Sequence, residues 1–151
     1  ELEEFDLPSV MRLSAQQILE GTRVAVEVET TGDVRAPCEV VEENLLRIAQ
    51  EALTNVIKHA GASEVRISLD FSPQAVTLRV KDNGQGFTPD QCPGSREGHF
   101  GLLGISERAK RLKGHLRVTS TPGNGTCLEV EIPAKLADET DPTGADARGL
   151  I

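Results

Sequence analysis

The stretch "IAQEALTNVIKHAG", residues 48–61, has the pattern of a long helix that ends at a glycine. Its apolar residues recur every three or four positions, which predicts an amphipathic helix from about Glu39 to Ala60, closed by Gly61. At about 100° per residue, seven apolar residues share one sector: Leu45, Leu46, Ala49, Leu53, Val56, Ile57 and Ala60. We expect this sector to fasten the helix to a sheet.

Four polar residues of the same helix form a stripe, which we expect opposite the apolar sector. From Glu51, Asn55 lies about 40° round the axis, Lys58 about 20° the other way, and His59 about 80° round. One interpretation is a solvated helix face. The other is a site, because an amide oxygen is a good ligand for Mg²⁺ and Lys58 and His59 could meet phosphate oxygens. Asn is about 0.7 kcal/mol worse than Ala inside a helix, which weakens the first interpretation.

Two glycine-rich segments downstream are further candidates for a site. "VKDNGQGF" (80–87) places Asp82 at the end of a strand, followed by Gly84 and Gly86. A fixed carboxylate there could accept a hydrogen bond from the exocyclic amine of adenine, and it would reject guanine, which presents a carbonyl. "GHFGLLGISERAKRL" (98–112) leads glycines into a helix whose free amides could bind phosphate. Each motif alone also fits an ordinary glycine-rich turn or a flexible loop.

The rest of the chain predicts an α+β fold. We expect helices at 8–20 and 102–113, the second ended by Gly114, and strands at 23–29, 64–71, 75–80, 115–120 and 126–133. The order helix, strand, long helix, hairpin, loop, helix, hairpin indicates a two-layer α/β sandwich. Its sheet should be mixed and mostly antiparallel, with the helices on one face.

Composition excludes several classes of function. The chain has 151 residues and a net charge of −8, so a nucleic-acid partner is not expected. It has neither Trp nor Tyr, and no apolar run approaches a membrane span. Its 3 cysteines have no metal-site spacing and are expected to be free thiols in a reducing compartment.

The segments together resemble the ATPase domain of histidine kinases. "QEALTNVIKHA" is similar to its N box, "DNGQGF" to its first glycine box, "GHFGLLGISERAKRLKG" to its second, and "GNGTCLEVEIP" to its closing Gly-Thr segment. The Lys-His-Ala and Gly-Leu-x-Gly-Ile-x-Glu-Arg-Ala runs look most like the nitrate-sensor and DesK-like class of bacterial sensor kinases. The resemblance covers residues 10–133, with 1–9 as a linker and 134–151 as an acidic, disordered tail.

The resemblance implies the Bergerat ATP-binding fold, with ATP and Mg²⁺ as cofactors. By matching position, Asn55 would bind Mg²⁺. Glu51, the candidate catalytic residue, would order the metal, its water or the transferring phosphoryl group. Lys58 and His59 would approach the phosphates.

The glycine boxes would bind the two ends of the nucleotide. The resemblance implies that Asp82 reads adenine, assisted by the following residues of its own motif and of the closing segment: Gly84, Gly86 and Thr126. Residues from about 88 to 100 would form a lid. Beyond the lid, the second glycine box would close on the phosphates through Gly101, Leu102 and Gly104.

The family phosphorylates a histidine on a separate pair of dimerising helices. In this class an acidic residue follows that histidine, but His59, His99 and His115 are each followed by an apolar residue. We therefore expect the acceptor histidine upstream of Glu1. The expected partners are those helices and a response regulator, the expected state is a monomer within a homodimeric parent, and the expected location is the cytoplasmic part of a membrane-bound sensor.

Three alternatives remain at this point. An anti-sigma-factor-type serine kinase shares the fold, although the Lys-His-Ala and Glu-Arg-Ala runs argue against it. A non-enzymatic, ATP-gated interaction module would need further domains. A binding domain without a nucleotide is the third.

Overall fold

One five-stranded sheet and its helices make up the computed structural model, which describes residues 6–86 and 102–137. The elements are α1 (Leu7–Leu19), β1 (Ala25–Gly32), α2 (Glu39–Asn55), a π turn (Val56–Ala60), β2 (Glu64–Phe71), β3 (Ala75–Asp82), α3 (Leu102–Arg111), β4 (His115–Ser120), β5 (Thr126–Pro133) and α4 (Ala134–Ala137). The predicted order is confirmed, and the predicted bounds of β2, β4 and β5 match the structure.

The strand order is β1-β2-β3-β5-β4. β1 and β2 are parallel and joined through α2, since parallel neighbours need a crossover connection. The other three neighbouring pairs are antiparallel. This confirms the prediction of a mixed, mostly antiparallel sheet.

The hydrophobic core lies between one face of the sheet and the helices. Residues of β2 and β5 alternate between more and less buried, whereas residues 75–78 of β3 are all buried. The buried strand residues include Val65, Ile67, Leu69, Phe71, Val76, Leu78, Val80, Leu128, Val130 and Ile132. Helix α2 adds Leu45, Ile48 and Leu53 to the same cluster. The opposite face carries charged cross-strand pairs such as Arg79 with Glu129, 2.8 Å apart. The α+β sandwich with helices on one face is therefore confirmed.

Helix α2 ends differently from the prediction. A π turn follows Asn55, and Gly61 then takes a left-handed conformation with φ +63°. A π turn holds more residues than an α-helical turn, so the side chains within it and after it are displaced round the axis. Ile57, which we predicted in the apolar sector, is consequently 41% exposed, whereas Val56 is buried. The assignment of Ile57 to the core was wrong.

The packed region extends beyond residues 10–133 at both ends. Helix α1 starts at Leu7, which is buried, and the side chain of Asp6 caps it by accepting a hydrogen bond from the Ser9 amide at 2.9 Å. After β5, residues 134–137 form the short helix α4, with Ala137 buried in the core. These four residues are not part of a disordered tail, and the predicted tail beyond them lies outside the described residues.

Helix α3 is followed by a turn in which Lys113, rather than the predicted Gly114, has a left-handed φ of +57°. Gly114 has a different role, because a Cβ on it would lie 2.5 Å from Ile132 Cδ1 and 2.7 Å from the Glu131 carbonyl oxygen. Among the described helices, none combines the length and apolar character that crossing a bilayer requires.

Candidate nucleotide site

Asp82 ends strand β3 on the helix-facing side of the sheet. It continues the alternation of Leu78 and Val80 and is only 6% exposed. The Gly84 amide donates a hydrogen bond of 2.8 Å to Asp82 Oδ1, and the backbone of Thr126 donates another to the carboxylate. Thr126 is the direct register partner of Asp82 on β5. The structure therefore brings together three residues that the sequence assigned to adenine.

Burial raises the pKa of the Asp82 carboxyl above its ordinary value of 3.8, and the backbone hydrogen bonds from Gly84 and Thr126 oppose part of that rise. A buried carboxylate that keeps its charge needs hydrogen-bond donors. Two carboxylate oxygens can accept about four hydrogen bonds, so two backbone donors leave capacity for a ligand donor. The geometry suits a polar base edge that presents an amine.

The loop after Asp82 is tied to its surroundings on both sides. Asn83 Oδ1 accepts hydrogen bonds from the amides of Ser63 at 2.9 Å and Glu64 at 3.0 Å. The Gln85 side chain donates to the His59 carbonyl at 2.7 Å, and the Gln85 carbonyl accepts from the Gly123 amide at 2.6 Å. The loop is thus held to the end of the π turn and to the β4–β5 turn.

Two glycines are required by the close approach of backbone segments around this loop. A Cβ on Gly86 would lie 2.1 Å from the Thr121 carbonyl oxygen, and one on Gly125 would lie 2.1 Å from the Asp82 carbonyl oxygen. Both residues have positive φ, +66° and +76°. Gly86 was predicted in the site, and Gly125 was missed, although it lies in the "GNGT" segment.

Glu51 is positioned at the boundary between α2 and α3. Its Oε2 lies 3.5 Å from Arg108 Nε, and its Oε1 is buried without a hydrogen-bond partner among the described residues. A Cβ on Gly104 would lie 3.3 Å from Oε1. Glu51 therefore lies at the edge of the buried side of α2, although we predicted it in a stripe opposite the apolar sector.

The other stripe residues follow Glu51 along the chain. Asn55 is partly accessible and is the last residue of α2, one turn beyond Glu51. Lys58 is exposed and His59 is partly accessible, and both belong to the π turn. π turns are often found at functional sites, because they change which side chains face the same way.

The second glycine box is only partly described. Leu102 starts α3 and packs against the core, and Gly104 faces Glu51. Gly101 and the predicted lid, residues 88–100, lie outside the described residues. Their assignment to the phosphates stays a prediction.

The residues fit a magnesium nucleotide by the chemistry of their donors. Mg²⁺ prefers oxygen ligands and is commonly held by one or two protein side chains together with substrate phosphates. Two such oxygen donors lie on one helix: the Asn55 amide oxygen and Glu51 Oε1, which lacks a hydrogen-bond partner in the described part of the chain. Within residues 6–86 and 102–137, three or more His, Cys, Asp or Glu side chains do not group into a metal site.

Two further residues around Glu51 escaped the sequence reasoning. Asn44 is buried at 7% exposure, two turns before Glu51 on α2, and its Oδ1 accepts a hydrogen bond from Arg108 at 3.2 Å. A polar residue in the predicted interior of a helix at that spacing was the available signal for Asn44. Arg108 gave no such signal, because its partners come from another helix.

Comparison with known sequences identifies a family of ATPases. The family described as histidine kinase-, DNA gyrase B-, and HSP90-like ATPase matches residues 40–136. The chain is 36% identical over 132 residues to the signal transduction histidine-protein kinase/phosphatase DegS of Brevibacillus brevis, covering 87% of this chain and 33% of that protein. It is 33% identical over 144 residues to the nitrate/nitrite sensor protein NarQ of Escherichia coli, covering 92% of this chain and 24% of that protein.

The fold is also found among solved structures. The ATP-binding domain of PrrB from Mycobacterium tuberculosis superposes with a TM-score of 0.68 at 21% identity, covering 85% of this chain and 93% of that one. The sequence similarity to DegS and NarQ confirms the predicted resemblance to sensor kinases, including the nitrate-sensor class. The chain spans a third or less of the length of the two curated relatives.

Proposed function

Because the chain belongs to the histidine kinase-, DNA gyrase B-, and HSP90-like ATPase family, we propose that it is the ATP-binding catalytic domain of a sensor histidine kinase. The observation that carries the proposal is the buried Asp82 carboxylate, which accepts hydrogen bonds from the amides of Gly84 and Thr126. It lies beside a loop whose close backbone contacts require glycine at two positions. The similarity to DegS and NarQ favours a histidine kinase over a serine kinase or a non-enzymatic module.

Asp82 selects the base in this proposal. Its carboxylate accepts a hydrogen bond from the exocyclic amine of adenine, while Gly84, Gly86 and Thr126 shape the surrounding pocket. Guanine presents a carbonyl oxygen at the same place, and two acceptors facing each other in a buried site repel. The site therefore prefers ATP to GTP.

The polar stripe of α2 and the start of α3 hold the phosphate end. Asn55 holds Mg²⁺, which neutralises phosphate charge, and Glu51 orders the metal-bound water or the transferring phosphoryl group. Lys58 and His59 lie near the phosphates. The amides of the second glycine box, Gly101, Leu102 and Gly104, close over the phosphates as the lid folds down.

The proposed reaction is phosphoryl transfer to a histidine on a separate helix pair of the parent kinase. An imidazole nitrogen forms a bond to the γ-phosphorus, the bond between that phosphorus and the bridging oxygen breaks, and ADP leaves with the electron pair. The imidazolium then releases a proton to water. Positioning and charge neutralisation supply most of the rate, so the protein needs little covalent chemistry of its own.

The whole parent protein extends the proposal. A response regulator receives the phosphoryl group from the histidine, the parent is a homodimer through its acceptor helices, and this domain works on the cytoplasmic side. The packed domain includes at least residues 7–137, because the residues at both of these positions are buried in the core.

Calorimetric titration with Mg·ATP and Mg·GTP tests the site. A hydrogen bond to a charged group contributes about 1.5–3 kcal/mol, so Asp82→Asn should weaken ATP binding by about ten- to a hundredfold. Asp70→Asn is the matched control, because it makes the same substitution on strand β2, where the Asp70 carboxylate accepts a hydrogen bond from the Thr31 hydroxyl. Equal affinity for the two nucleotides, or unchanged ATP binding in Asp82→Asn, would contradict the assignment of Asp82.

The acceptor is tested separately. Incubation with labelled ATP and a purified helix pair carrying the acceptor histidine should give a label that is lost in acid and kept in alkali, as a phosphorus–nitrogen bond requires. A label that survives acid would indicate a serine kinase instead.

A further inference from the structure

Arg108 connects Glu51 to a second polar side chain of α2. Its Nε lies 3.5 Å from Glu51 Oε2, and its Nη1 donates a hydrogen bond of 3.2 Å to Asn44 Oδ1. The Asn44 amide in turn donates to the Val40 carbonyl at 2.8 Å. The chain of contacts therefore runs from the backbone of α2 through Asn44 and Arg108 to one oxygen of Glu51.

The other oxygen of Glu51 has the opposite environment. Oε1 is buried, has no hydrogen-bond partner among the described residues, and lies over Gly104. An unpaired buried acceptor is costly, which makes this atom a natural place for a donor from a ligand or its hydration shell. One oxygen of the carboxylate is thus paired with Arg108, while the other is buried and has no hydrogen-bond partner among the described residues.

We propose that Arg108 is a positioning residue that fixes the Glu51 carboxylate for phosphoryl transfer, with Asn44 fixing Arg108 in turn. The inference rests on the proposed function and assigns the role of Glu51 more narrowly. A carboxylate paired with Arg108 through Oε2 has less freedom to rotate, so Oε1 is biased towards one orientation. Misplacing a group in a reacting centre by about 1 Å can reduce the rate about a hundredfold.

Charge alone does not account for the arrangement. A lysine at this position could neutralise Glu51, but it could not reproduce the fork geometry with which the guanidinium meets Glu51 and Asn44 together. We therefore expect Arg108→Lys to recover only part of the activity. A purely structural link between α2 and α3 would not depend on the Glu51 carboxylate, whereas the proposed role of Arg108 does.

The test compares Arg108→Ala, Arg108→Lys and the exposed control Arg111→Ala in ATP titration, in thermal unfolding, and in transfer to the purified acceptor helix pair. At saturating ATP, Arg108→Ala should slow transfer about tenfold or more, with ATP affinity changed less than about twofold. Arg108→Lys should be intermediate, and Arg111→Ala should match the wild type. If Arg108→Ala unfolds, the Lys variant decides the outcome by the same comparison.

The double variant separates positioning from structure. If Arg108 acts through Glu51, adding Arg108→Ala to Glu51→Gln should slow transfer by less than about twofold. An equal loss with and without the Glu51 carboxylate would overturn the inference, and so would an unchanged rate in Arg108→Ala. A wild-type chain that binds no ATP or transfers nothing would instead refute the proposed function, and the inference with it.

Discussion

Replacing Gly104 by Ala separates two explanations of that glycine. The family resemblance implies that Gly104 lets the backbone approach the phosphates, whereas the structure shows it facing Glu51. The added methyl carbon would lie 3.3 Å from Glu51 Oε1 and 3.6 Å from Oε2. The distance to Oε1 is short enough that the carboxylate must move by a few tenths of an ångström, whereas the distance to Oε2 is an ordinary van der Waals contact.

The magnitude follows from two opposing effects. Ala is favoured over Gly within a helix by about 0.5–1 kcal/mol. The displaced carboxylate loses part of a partly exposed ion pair with Arg108, which contributes about 0–1 kcal/mol. We expect the free energy of unfolding to rise slightly or stay unchanged, while transfer falls about tenfold because Glu51 is displaced. Stability and activity should therefore change independently.

The measurements are chemical unfolding, ATP titration and transfer to the acceptor helix pair. Ser106→Ala, two positions along α3, is the control for helix propensity alone. In a Glu51→Ala background the methyl group meets no carboxylate, so Gly104→Ala should have little further effect on transfer. If Gly104→Ala instead weakens ATP binding equally with and without the Glu51 side chain, the phosphate explanation holds and the steric argument is refuted.

The remaining predictions concern Asp82, the β4–β5 turn and the uncovered face of the sheet. Because the pKa of Asp82 is raised in the folded state, its contribution to stability is present below pH 3.8 and is lost as the pH rises through the folded-state pKa. Measured by urea unfolding, the free energy of unfolding of the wild type should fall relative to that of Asp82→Asn as the pH rises from about 3 to about 7. If the two proteins show the same dependence of stability on pH, the burial argument is contradicted. Gly125→Ala should destabilise by more than about 2 kcal/mol, because its Cβ would lie 2.1 Å from the Asp82 carbonyl oxygen. In Gly123→Ala the added Cβ has no neighbour within 4 Å, so the substitution should cost only the strain of the left-handed conformation, about 1–2 kcal/mol. Equal losses of stability in Gly125→Ala and Gly123→Ala would count against a steric cause. Glu129→Gln removes ion pairs with two arginines and should lower the free energy of unfolding by about 1 kcal/mol or less while leaving ATP affinity unchanged; a large change in affinity would link that face to the site.

Much of the fold could be predicted from local patterns. Alternation in 64–71 and 126–133 reports which side of each strand is buried, and the structure has strands over the same residues. The end of α2 could not be predicted in the same way. The π turn changes the angle between successive side chains, so a wheel drawn at a constant angle assigned Ile57 to the core.

The candidate site likewise contains residues that a local pattern predicts and contacts that it does not. Asp82 and its glycines were found because a carboxylate followed by glycines at a strand end is a local pattern. The contact of Arg108 with Asn44 joins residues 64 positions apart, and no periodicity reports on such a pair.

The sequence by itself determined the elements, the family and most of the residues proposed to bind ATP, since these depend on spacing along the chain. Tertiary structure decided which of them meet. The register of β3 with β5 sets Thr126 opposite Asp82. The packing of α3 against α2 brings Arg108 and Gly104 to the two oxygens of Glu51. The physical reason is that burial and hydrogen bonding across elements depend on the path of the whole chain.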